Sequence, residues 1–330
     1  MAINYGTIIG GNVPIITDPY HPNILRGWMP EGLIYKDVYP QMPTTTYKGR
    51  IPKQNAQIQI RSNYVLSPEG FPLIHLDYEA KDTYLLKYRG LTATLDYADI
   101  EELGGDALAS SKTLAILNAS VQVGREYQIA KPLTDTSIMV QYFNPSIAWS
   151  DPTADILADI THGVSVVRTG INASPGCGFT PNVAIVPWEV FNVLSRHPSL
   201  IKAAYIGAVT DANVLLTVEK LKAIFNVEKI LIPKGLYYTN NVGGTAARAD
   251  IWGNNVILAH IDYSPTPAEA KQCLGYTFVP LSQAVGLADF SYTWMTPGVL
   301  PEMGKMVTRG FMADDRLVDV TCACLIPNVL

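Results

Sequence analysis

The sequence predicts an α+β protein in which a long helix connects a β-rich region to an α/β module. Three observations lead to this prediction. Residues 55–96 form short alternating runs around the turn signal SPEG, as a β-hairpin does. Residues 107–131 contain no proline and favour one long helix. Between residues 180 and 272, short β-branched runs alternate with amphipathic segments, which is typical of an α/β unit.

Residues 1–48 predict an extended N-terminal arm. Prolines distributed through this segment argue against a long helix or a central strand: Pro14, Pro19, Pro22, Pro30, Pro40 and Pro43. Apolar side chains such as Trp28 and Leu33 are unfavourable in a solvated tail. We therefore expect the arm to lie on another subunit, and we expect the rest of the chain to keep its own core without residues 2–45.

The hairpin of residues 55–96 predicts an extended loop with a ragged tip. A two-stranded hairpin is barely stable alone in water. Its charge is opposite to that of the arm: residues 77–106 carry three basic and eight acidic side chains, a balance of −5, whereas residues 1–61 carry six basic and three acidic ones, a balance of +3. We expect these opposite charges to help seat the arm and the loop on neighbouring subunits.

The long helix is expected to begin at Asp106, which is a plausible N-cap, and to run for about 37 Å. Its apolar residues, among them Leu114 and Tyr127, occupy more than one face, so we expect contacts on more than one side. A second helix is predicted from about Pro152 to Thr169. Residues 276–330 then close the chain with β-rich sequence.

The α/β module is predicted from five segments that differ in period: strand 182–186, helix 187–196, helix 216–225, strand 229–233 and strand 255–261. Pro187 lies at the first strand-to-helix turn, and this turn contains no glycine. Phosphate-binding turns use glycines because main-chain N–H groups must approach the phosphate closely. The module is therefore not expected to bind a nucleotide at this turn.

Composition excludes several classes of protein. The chain of 330 residues is 48% hydrophobic, which excludes a disordered protein, and its length suggests about two domains. Only 16% of residues are charged and the net charge is −5, so a dedicated nucleic-acid binder is excluded. A low-charge sequence with 23 prolines and 18 tyrosines is typical of a protein with extensive self-contacts. No secretion signal or run of 18 apolar residues is present, so we expect a soluble protein made in the cytoplasm.

A search for reactive groups identifies no catalytic, cofactor-binding or metal-binding residue. Cys177, Cys273, Cys322 and Cys324 form no CxxC pair, and we expect buried free thiols, with the last two on one face of a strand. His197 is interpreted as the end of a helix, where a cation complements the dipole, and Glu101 and Glu102 as acids preceding a helix. The other candidates are dispersed: His21, His75, His162, His260 and the glycine pairs 10–11, 104–105 and 243–244.

Five stretches of the sequence are similar to motifs of one known family. Three lie in the module: TPNVAIVPWEVFNVLSRHPSLIKAA (180–204), LTVEKLKAIFNVEKILI (216–232) and WGNNVILAHI (252–261). Two flank the segment between the predicted helices: REYQIA (125–130) and AWSDP (148–152). Together they resemble the major capsid proteins of tailed double-stranded-DNA bacteriophages, which have the Hong Kong 97 type fold. The resemblance covers nearly the whole chain.

The resemblance implies a division of the chain into five segments: the N-terminal arm (1–48), the extended loop (49–100), the spine helix with the first part of the peripheral domain (101–178), the axial domain (179–272) and the return of the peripheral domain (273–330). It implies that homo-pentamers and homo-hexamers form an icosahedral shell around the phage genome. The implied partners are a separate scaffolding protein, a portal, a decoration protein as a further candidate, and DNA contacted without sequence specificity. It implies no cofactor, metal or membrane, and a location in the virion after synthesis and assembly in the cytoplasm of the bacterial host.

Some family members differ from this sequence, and other functions stay open. Members with a fused scaffolding segment begin with about a hundred additional residues, whereas the arm starts close to Met1 here. Some members cross-link a hairpin lysine, but Lys81 and Lys87 match no such motif and are interpreted as solvated. The alternatives are an encapsulin-type compartment shell, a phage tail or decoration component, and an α/β enzyme that binds a nucleotide or a sugar phosphate.

Overall fold

The computed structural model describes residues 31–54, 78–96, 100, 105–171, 174–205, 215–239, 247–265, 272–282, 286–295 and 305–330, with the main chain of residues 5–6 and 15–16. The described α-helices are α1 (Tyr35–Val38), α2 (Asp106–Leu133), α3 (Ile156–Thr169), α4 (Trp188–Leu194), α5 (Pro198–Tyr205) and α6 (Val218–Phe225). The described strands are β1 (Tyr5–Gly6), β2 (Ile15–Ile16), β3 (Gln41–Thr44), β4 (Lys48–Gln54), β5 (Tyr78–Leu85), β6 (Lys87–Leu95), β7 (Gly170–Ile171), β8 (Ser174–Pro175), β9 (Val183–Ile185), β10 (Lys229–Leu231), β11 (Leu236–Tyr238), β12 (Arg248–Asp250), β13 (Val256–Ala259), β14 (Gly275–Pro280), β15 (Asp289–Met295), β16 (Lys305–Leu317) and β17 (Ala323–Ile326).

The long helix α2, called the spine helix below, begins and ends within two residues of its predicted bounds. Its N-cap is Gly105, whose φ of 106° suits a glycine, and the prediction of Asp106 as the N-cap is wrong. Asp106 instead occupies the first turn, where its carboxylate forms an ion pair of 2.6 Å with Lys305 Nζ of β16. A negative charge at this end is favourable because the helix dipole is positive there.

The larger of the two main sheets, called the large sheet, is built around β16. Residues 305–311 of β16 pair with β15, and residues 305–313 pair with β6 on the opposite edge. β14 pairs with the far end of β16, and β3 adds to β14 as a parallel edge strand. An edge position tolerates Pro43 of β3, because proline cannot donate to a central ladder. The spine helix packs across β16 and β6.

Strand pairing begins earlier than the predicted range of residues 55–96: β4 (Lys48–Gln54) pairs antiparallel with β5 (Tyr78–Leu85), with a register shift between Ile51 and Lys53. The turn signal SPEG lies outside the described residues. The last part of the predicted hairpin differs from the expectation, because β6 leaves β5 and pairs along β16. The large sheet therefore anchors the base of the extended loop.

The α/β module has a four-stranded sheet of order β10-β9-β13-β17, called the module sheet. β9 and β10 are parallel, and β13 is antiparallel to both β9 and β17. The strands and helices predicted between residues 182 and 261 are present with shorter bounds, and α5 was not predicted. The sequence signal for α5 was Pro198 at the first helical position. This signal was missed because the preceding helix was predicted to run as far as residue 196.

Two elements from outside the predicted module belong to it. α3 packs on β13, β17, α5 and α6, and the approach is close because a Cβ on Gly163 would lie 2.7 Å from Leu258 Cδ1. α3 begins at Ile156 rather than near Pro152, since Asp155 is its N-cap and accepts a hydrogen bond from Ala158 N. β17, which is fully buried, completes the module sheet from the other end of the chain. The predicted divisions at residues 178 and 272 therefore do not separate the packing units.

The base of the predicted arm is part of the subunit itself. Ile34, Tyr35, Val38 and Tyr39 of the α1 segment are buried in the main core, and β3 belongs to the large sheet. The expectation that the whole of residues 1–48 lies on another subunit is therefore wrong for residues 31–48. The described side chains of the arm begin at residue 31, so Trp28 lies outside the described residues.

Two deletions test this correction. Removing residues 2–45 takes five buried apolar side chains from the core, each worth about 1.5–3 kcal/mol, and their sum exceeds half of a typical net stability of about 5–15 kcal/mol. We expect this variant to lose its cooperative thermal transition in circular dichroism. The matched variant that lacks residues 2–30 keeps every described core residue and is expected to melt cooperatively. A cooperative transition in the longer deletion would contradict the assignment of residues 31–45 to the core.

Candidate assembly surfaces and the spine junction

The residues with potential chemistry do not converge in the described part of the chain. His162 lies edge-on to Phe143 at 4.6 Å, and His260 stacks on Phe179 at 4.9 Å. Among the described residues, no group of three or more His, Cys, Asp or Glu is placed to hold a metal ion. No helix in these ranges is both long and apolar enough to cross a bilayer. His21, His75, Glu101 and Glu102 lie outside the described residues, as do the glycine pairs 10–11 and 243–244 and Gly104.

The sequence suggested that His197 complements a helix dipole, but the structure gives it a different position. α4 ends at Leu194, and His197 is buried between α4 and α5. Its Nε2 donates to the main-chain carbonyl of Asp151 at 3.0 Å, and its Nδ1 is bonded to Ser199 Oγ at 2.7 Å. His197 therefore connects the module to the segment AWSDP (148–152) by a hydrogen bond, and its role is structural.

The first N–H of α4, at the strand-to-helix turn, is bonded to the protein's own main chain. Pro187 is the N-cap of α4, and Trp188 N donates to Pro233 O at 3.2 Å. Val186 N, just after β9, donates to Leu231 O at 2.9 Å. Since the turn also contains no glycine, it lacks the form of a phosphate-binding loop, in which glycines allow several N–H groups to approach the phosphate.

The four cysteines are free and buried, as predicted. Cys322 and Cys324 do not share one strand face, because Cys322 ends a 3-10 turn and only Cys324 lies in β17. Cys322 is instead hydrogen-bonded to Cys177, and this bond lowers the pKa of the Cys177 thiol and raises that of Cys322. Burial raises the pKa of Cys324 to about 12.

Glu126 of the spine helix joins three parts of the molecule. Its carboxylate is buried and accepts hydrogen bonds from Ile34 N at 3.0 Å and Tyr35 N at 2.7 Å, at the start of α1. Its other oxygen accepts from Trp252 Nε1 at 2.6 Å, in the segment that leads into β13. One side chain therefore ties the arm base and the module to the spine helix, and we call this arrangement the spine junction.

Arg125 extends the junction to the large sheet. Its guanidinium forms two hydrogen bonds with Asp315 of β16, Nη2 to Oδ1 at 2.7 Å and Nε to Oδ2 at 3.3 Å. It also lies 4.9 Å from the ring centroid of Tyr35 and 4.6 Å from that of Phe311. The planar guanidinium suits both contacts, because it pairs bidentately with a carboxylate and stacks on aromatic faces.

Burial controls the protonation of Glu126. Removal from water raises the pKa of its carboxyl group, while the hydrogen bonds from Trp252 and from the two main-chain N–H groups oppose this effect. The pKa of Glu126 is higher in the folded state than in the unfolded state. Its contribution to the free energy of unfolding is therefore complete at pH values below the unfolded pKa. It is lost as the pH rises through the folded pKa. Glu126 therefore contributes more to the free energy of unfolding in mild acid than at neutral pH.

Several charges expected to seat the arm on a neighbour are paired within the chain. Lys229 Nζ lies 2.5 Å from Asp37, and Lys234 Nζ lies 3.4 Å from Glu31. Both pairs connect the arm base to the module. Because these groups are largely exposed, each pair contributes only about 0–1 kcal/mol. The charge balance of the arm residues beyond the described part stays a prediction.

The described surface carries large apolar side chains in three groups. The outer stripe of the spine helix contains Leu108, Ile116 and Tyr127, the segment after this helix contains Ile138, Val140, Tyr142 and Ile147, and β11 contains Leu236 and Tyr238. Ile116 is 61% exposed and Tyr238 is 60% exposed. Apolar groups of this size on a protein surface mark sites of association.

Comparison with known proteins gives a consistent result, although no protein-family model matches the chain. The major capsid protein of Burkholderia phage BcepMu is 24% identical over 261 residues, which are 74% of this chain and 76% of that protein. A solved phage-related protein from Bordetella bronchiseptica RB50 is 17% identical and superposes with a TM-score of 0.68 over 96% of this chain and 98% of its own. The capsid structure of cyanophage P-SCSP1u is 10% identical, with a TM-score of 0.54 over 89% of this chain and 88% of its own.

The chain has the Hong Kong 97 type capsid fold. The Hong Kong 97 type fold expected from the sequence motifs is thereby confirmed, and so is the α+β class. The same capsid fold occurs in the SrpI encapsulin of Synechococcus elongatus PCC 7942, which is 9% identical with a TM-score of 0.50 over 91% of this chain and 88% of its own. Fold similarity at these identities therefore does not by itself distinguish a phage shell from an encapsulin shell.

Substitution of Glu126 tests the spine junction of this capsid fold. Glu126→Gln replaces one acceptor oxygen with an NH2 donor, so a buried N–H of Trp252 or of the α1 segment loses its partner. We expect a loss of about 1–3 kcal/mol in the free energy of unfolding of the unassembled subunit in urea. The difference in the free energy of unfolding between wild type and Glu126→Gln should be larger at pH 5 than at pH 7. Only the wild-type carboxyl group takes up a proton, and this uptake stabilises the folded state.

The control is Trp252→Phe, which removes the indole donor and keeps the carboxyl group. This variant is expected to show a pH dependence of the same sign as wild type but steeper, because loss of the indole hydrogen bond raises the pKa of Glu126 further. Identical pH dependence in wild type and Glu126→Gln would show that Glu126 does not titrate as the junction geometry requires.

Thiol reactivity tests the burial of the cysteines in the capsid fold. Buried thiols are inert toward a disulfide reagent because the reagent cannot reach them, and burial also raises the pKa values of Cys273 and Cys324, which lowers the population of the reactive thiolate. We expect the native chain to release almost no thionitrobenzoate from Ellman's reagent, and the chain in guanidinium chloride to react at four thiols. Rapid reaction of the native protein at Cys177 or Cys322 would contradict their placement in the core.

Proposed function

We propose that the chain is the major capsid protein of a tailed double-stranded-DNA bacteriophage. The observation that carries the proposal is the similarity to the BcepMu major capsid protein over about three quarters of both chains, combined with a capsid fold over nearly the whole chain. The chain self-assembles into pentamers and hexamers, and these form an icosahedral shell around the packaged genome. Its role is structural, and we propose that it has no enzymatic activity.

The fold suggests how each part contributes to a shell. The module takes the place of the axial domain, the extended loop reaches onto a neighbour, and the arm residues before the α1 segment lie across another copy. The outer stripe of the spine helix, where Ile116 and Gly124 are both exposed about two turns apart, offers an apolar surface on which such a neighbour can pack. A Cβ on Gly124 would meet nothing within 4 Å, so no contact in the described chain requires a glycine there. Repeated head-to-tail contacts of this kind close into rings.

The proposed partners follow from the shell. A separate scaffolding protein and a portal take part in assembly, and a decoration protein is a further candidate. The packaged DNA is contacted weakly and without sequence specificity, because a chain of net charge −5 has few basic groups with which to neutralise phosphates. The protein is located in the virion, and its synthesis and assembly take place in the cytoplasm of the bacterial host.

An encapsulin-type shell is the second candidate, because the encapsulin of Synechococcus elongatus shares the fold over 91% of this chain. The contents of the particle separate the two functions, since an encapsulin-type compartment holds protein and a phage head holds DNA. An α/β enzyme that binds a phosphate at this turn is disfavoured, because the turn at Pro187 contains no glycine and Trp188 N already donates to Pro233 O.

Assembly of the purified protein tests the proposed function. We expect light scattering to show particles far larger than a 36.0 kDa monomer, and negative-stain microscopy to show rings, capsomer sheets or shells. The physical reason is the exposed apolar surface, which has no partner among the described residues of the subunit. A monomer that persists across micromolar concentrations and a range of salt would contradict the proposal.

A further inference from the structure

Two of the buried cysteines lie side by side although they are far apart in sequence. Cys177 follows β8, Cys322 ends the 3-10 turn before β17, and their thiol groups are hydrogen-bonded to each other. Main-chain hydrogen bonds hold both residues in place. Cys177 N donates to Val167 O of α3 at 3.0 Å, and on the other side His260 N donates to Cys322 O at 2.8 Å. The packing of α3 on β17 therefore keeps the two sulfur atoms together.

The two thiols differ in access and in protonation. Cys177 is 9% exposed and is followed by the exposed residues 178–180, whereas Cys322 is completely buried. The hydrogen bond between them lowers the pKa of the Cys177 thiol and raises that of Cys322. Cysteines that respond to oxidants have a lowered pKa, lie near solvent and have a second thiol within reach. Cys177 has the properties of the attacking thiol, and Cys322 those of the resolving thiol.

The remaining cysteines are poorer targets for an oxidant. Cys273 Sγ accepts a hydrogen bond from Asp262 N at 3.3 Å and donates one to Gly275 O at 3.5 Å, and burial raises the pKa of this thiol. Cys324 lies in the buried strand β17, and burial raises its pKa to about 12. Both thiols therefore hold their protons more firmly than Cys177 does.

We propose that Cys177 and Cys322 are an oxidation site at which hydrogen peroxide produces a disulfide. The Cys177 thiolate attacks the peroxide, so that an S–O bond forms, the O–O bond breaks and the departing hydroxide takes up a proton and leaves as water. The Cys322 sulfur then attacks the sulfenic acid on Cys177. An S–S bond forms, the S–O bond breaks, and the second hydroxide leaves as water with the proton of the Cys322 thiol. Two thiols and one peroxide thus give one disulfide and two water molecules.

The surroundings of Cys177 allow this reaction. Hydrogen peroxide is far smaller than Ellman's reagent, so it reaches a thiol of this low exposure slowly, over hours, where the aromatic disulfide does not. The sulfur atoms must close from hydrogen-bond distance to about 2.05 Å. Gly178 has a φ of 81°, and a Cβ there would meet nothing within 4 Å, so the chain beside Cys177 has room for this movement.

The disulfide is expected to stabilise the subunit. It would close a long loop of the chain that contains the module strands β9, β10 and β13 and the sheet strands β14–β16. A cross-link stabilises mainly by restricting the unfolded chain, and the effect increases with the length of the closed loop. The subunit is then more stable in an oxidising environment than in a reducing one.

Peptide mapping is the first test. The reduced native chain is incubated with hydrogen peroxide, its remaining thiols are blocked with N-ethylmaleimide in guanidinium chloride, and it is digested with trypsin without reduction. We expect peptide 169–196 joined to peptide 317–330, with tandem mass spectrometry placing the bond at Cys322 rather than at Cys324. Unblocked samples in guanidinium chloride should then react with Ellman's reagent at two thiols instead of four. A bond to a third cysteine, a Cys177 that proceeds to sulfinic acid, or a chain that keeps all its thiols overturns the inference.

Thermal unfolding is the second test. We expect the oxidised chain to melt about 5 °C higher than the reduced chain in circular dichroism, and dithiothreitol to reverse the rise. Cys177→Ser cannot form the bond, so peroxide should not raise its melting temperature, and any effect of methionine oxidation appears in this variant as well. The matched control Cys273→Ala keeps the pair and should show the full rise. An equal rise in Cys177→Ser and wild type, or no rise in wild type, overturns the inference.

The inference does not rest on the proposed function, because the oxidation site is a property of a single subunit. Both tests use the unassembled chain, and assembly is measured separately. A chain that assembles but forms no bond between Cys177 and Cys322 overturns only the inference, whereas a monomeric chain that forms the bond overturns only the proposed function.

Discussion

The buried carboxylate of Glu126 is the constraint on which the arrangement of the subunit depends. It stands on the spine helix, ninety-two residues away in sequence from Ile34, and it provides the acceptors for two main-chain N–H groups and one indole N–H. A buried acceptor set of this kind has few alternative partners, so the α1 segment, the module and the spine helix are held in one relative orientation. Arg125 adds the large sheet through Asp315. Adjacent residues of one helix turn thus connect the two sheets of the fold.

Charges and apolar groups are distributed in a way that suits an assembly. Of the described ion pairs, the most buried is internal, since the side chains of Arg125 and Asp315 are only 11% and 6% exposed. The surface, in contrast, presents large apolar side chains on the spine helix, on the segment after it and on β11. Burial of apolar area depends little on ionic strength, so an assembly that uses these surfaces would depend little on salt.

Elements in which apolar residues recur at a regular spacing could be predicted from the sequence, whereas elements that depend on contacts with distant residues could not. The spine helix was predicted within two residues at each end, because its pattern continues for many turns, and the module strands were predicted from short apolar runs. The arm base was assigned to another subunit because nothing local in residues 31–48 reveals that Glu126 accepts its N–H groups. The sequence likewise does not show which sheet β17 joins. His197 was misplaced because its partner, the carbonyl of Asp151, is forty-six residues away. The surfaces proposed for assembly consist of ordinary apolar residues, and no motif marks such residues in a sequence.

The position of β17 has a consequence for how the subunit can be divided. This strand lies far from β13 in sequence, yet it is fully buried against β13 and carries the bridge to the segment after the spine helix. A module cut out of the chain at residue 272 would therefore leave β13 with an unpaired, apolar edge. The module and the β-rich return depend on each other for their cores, so the subunit is expected to unfold as one cooperative unit and not domain by domain.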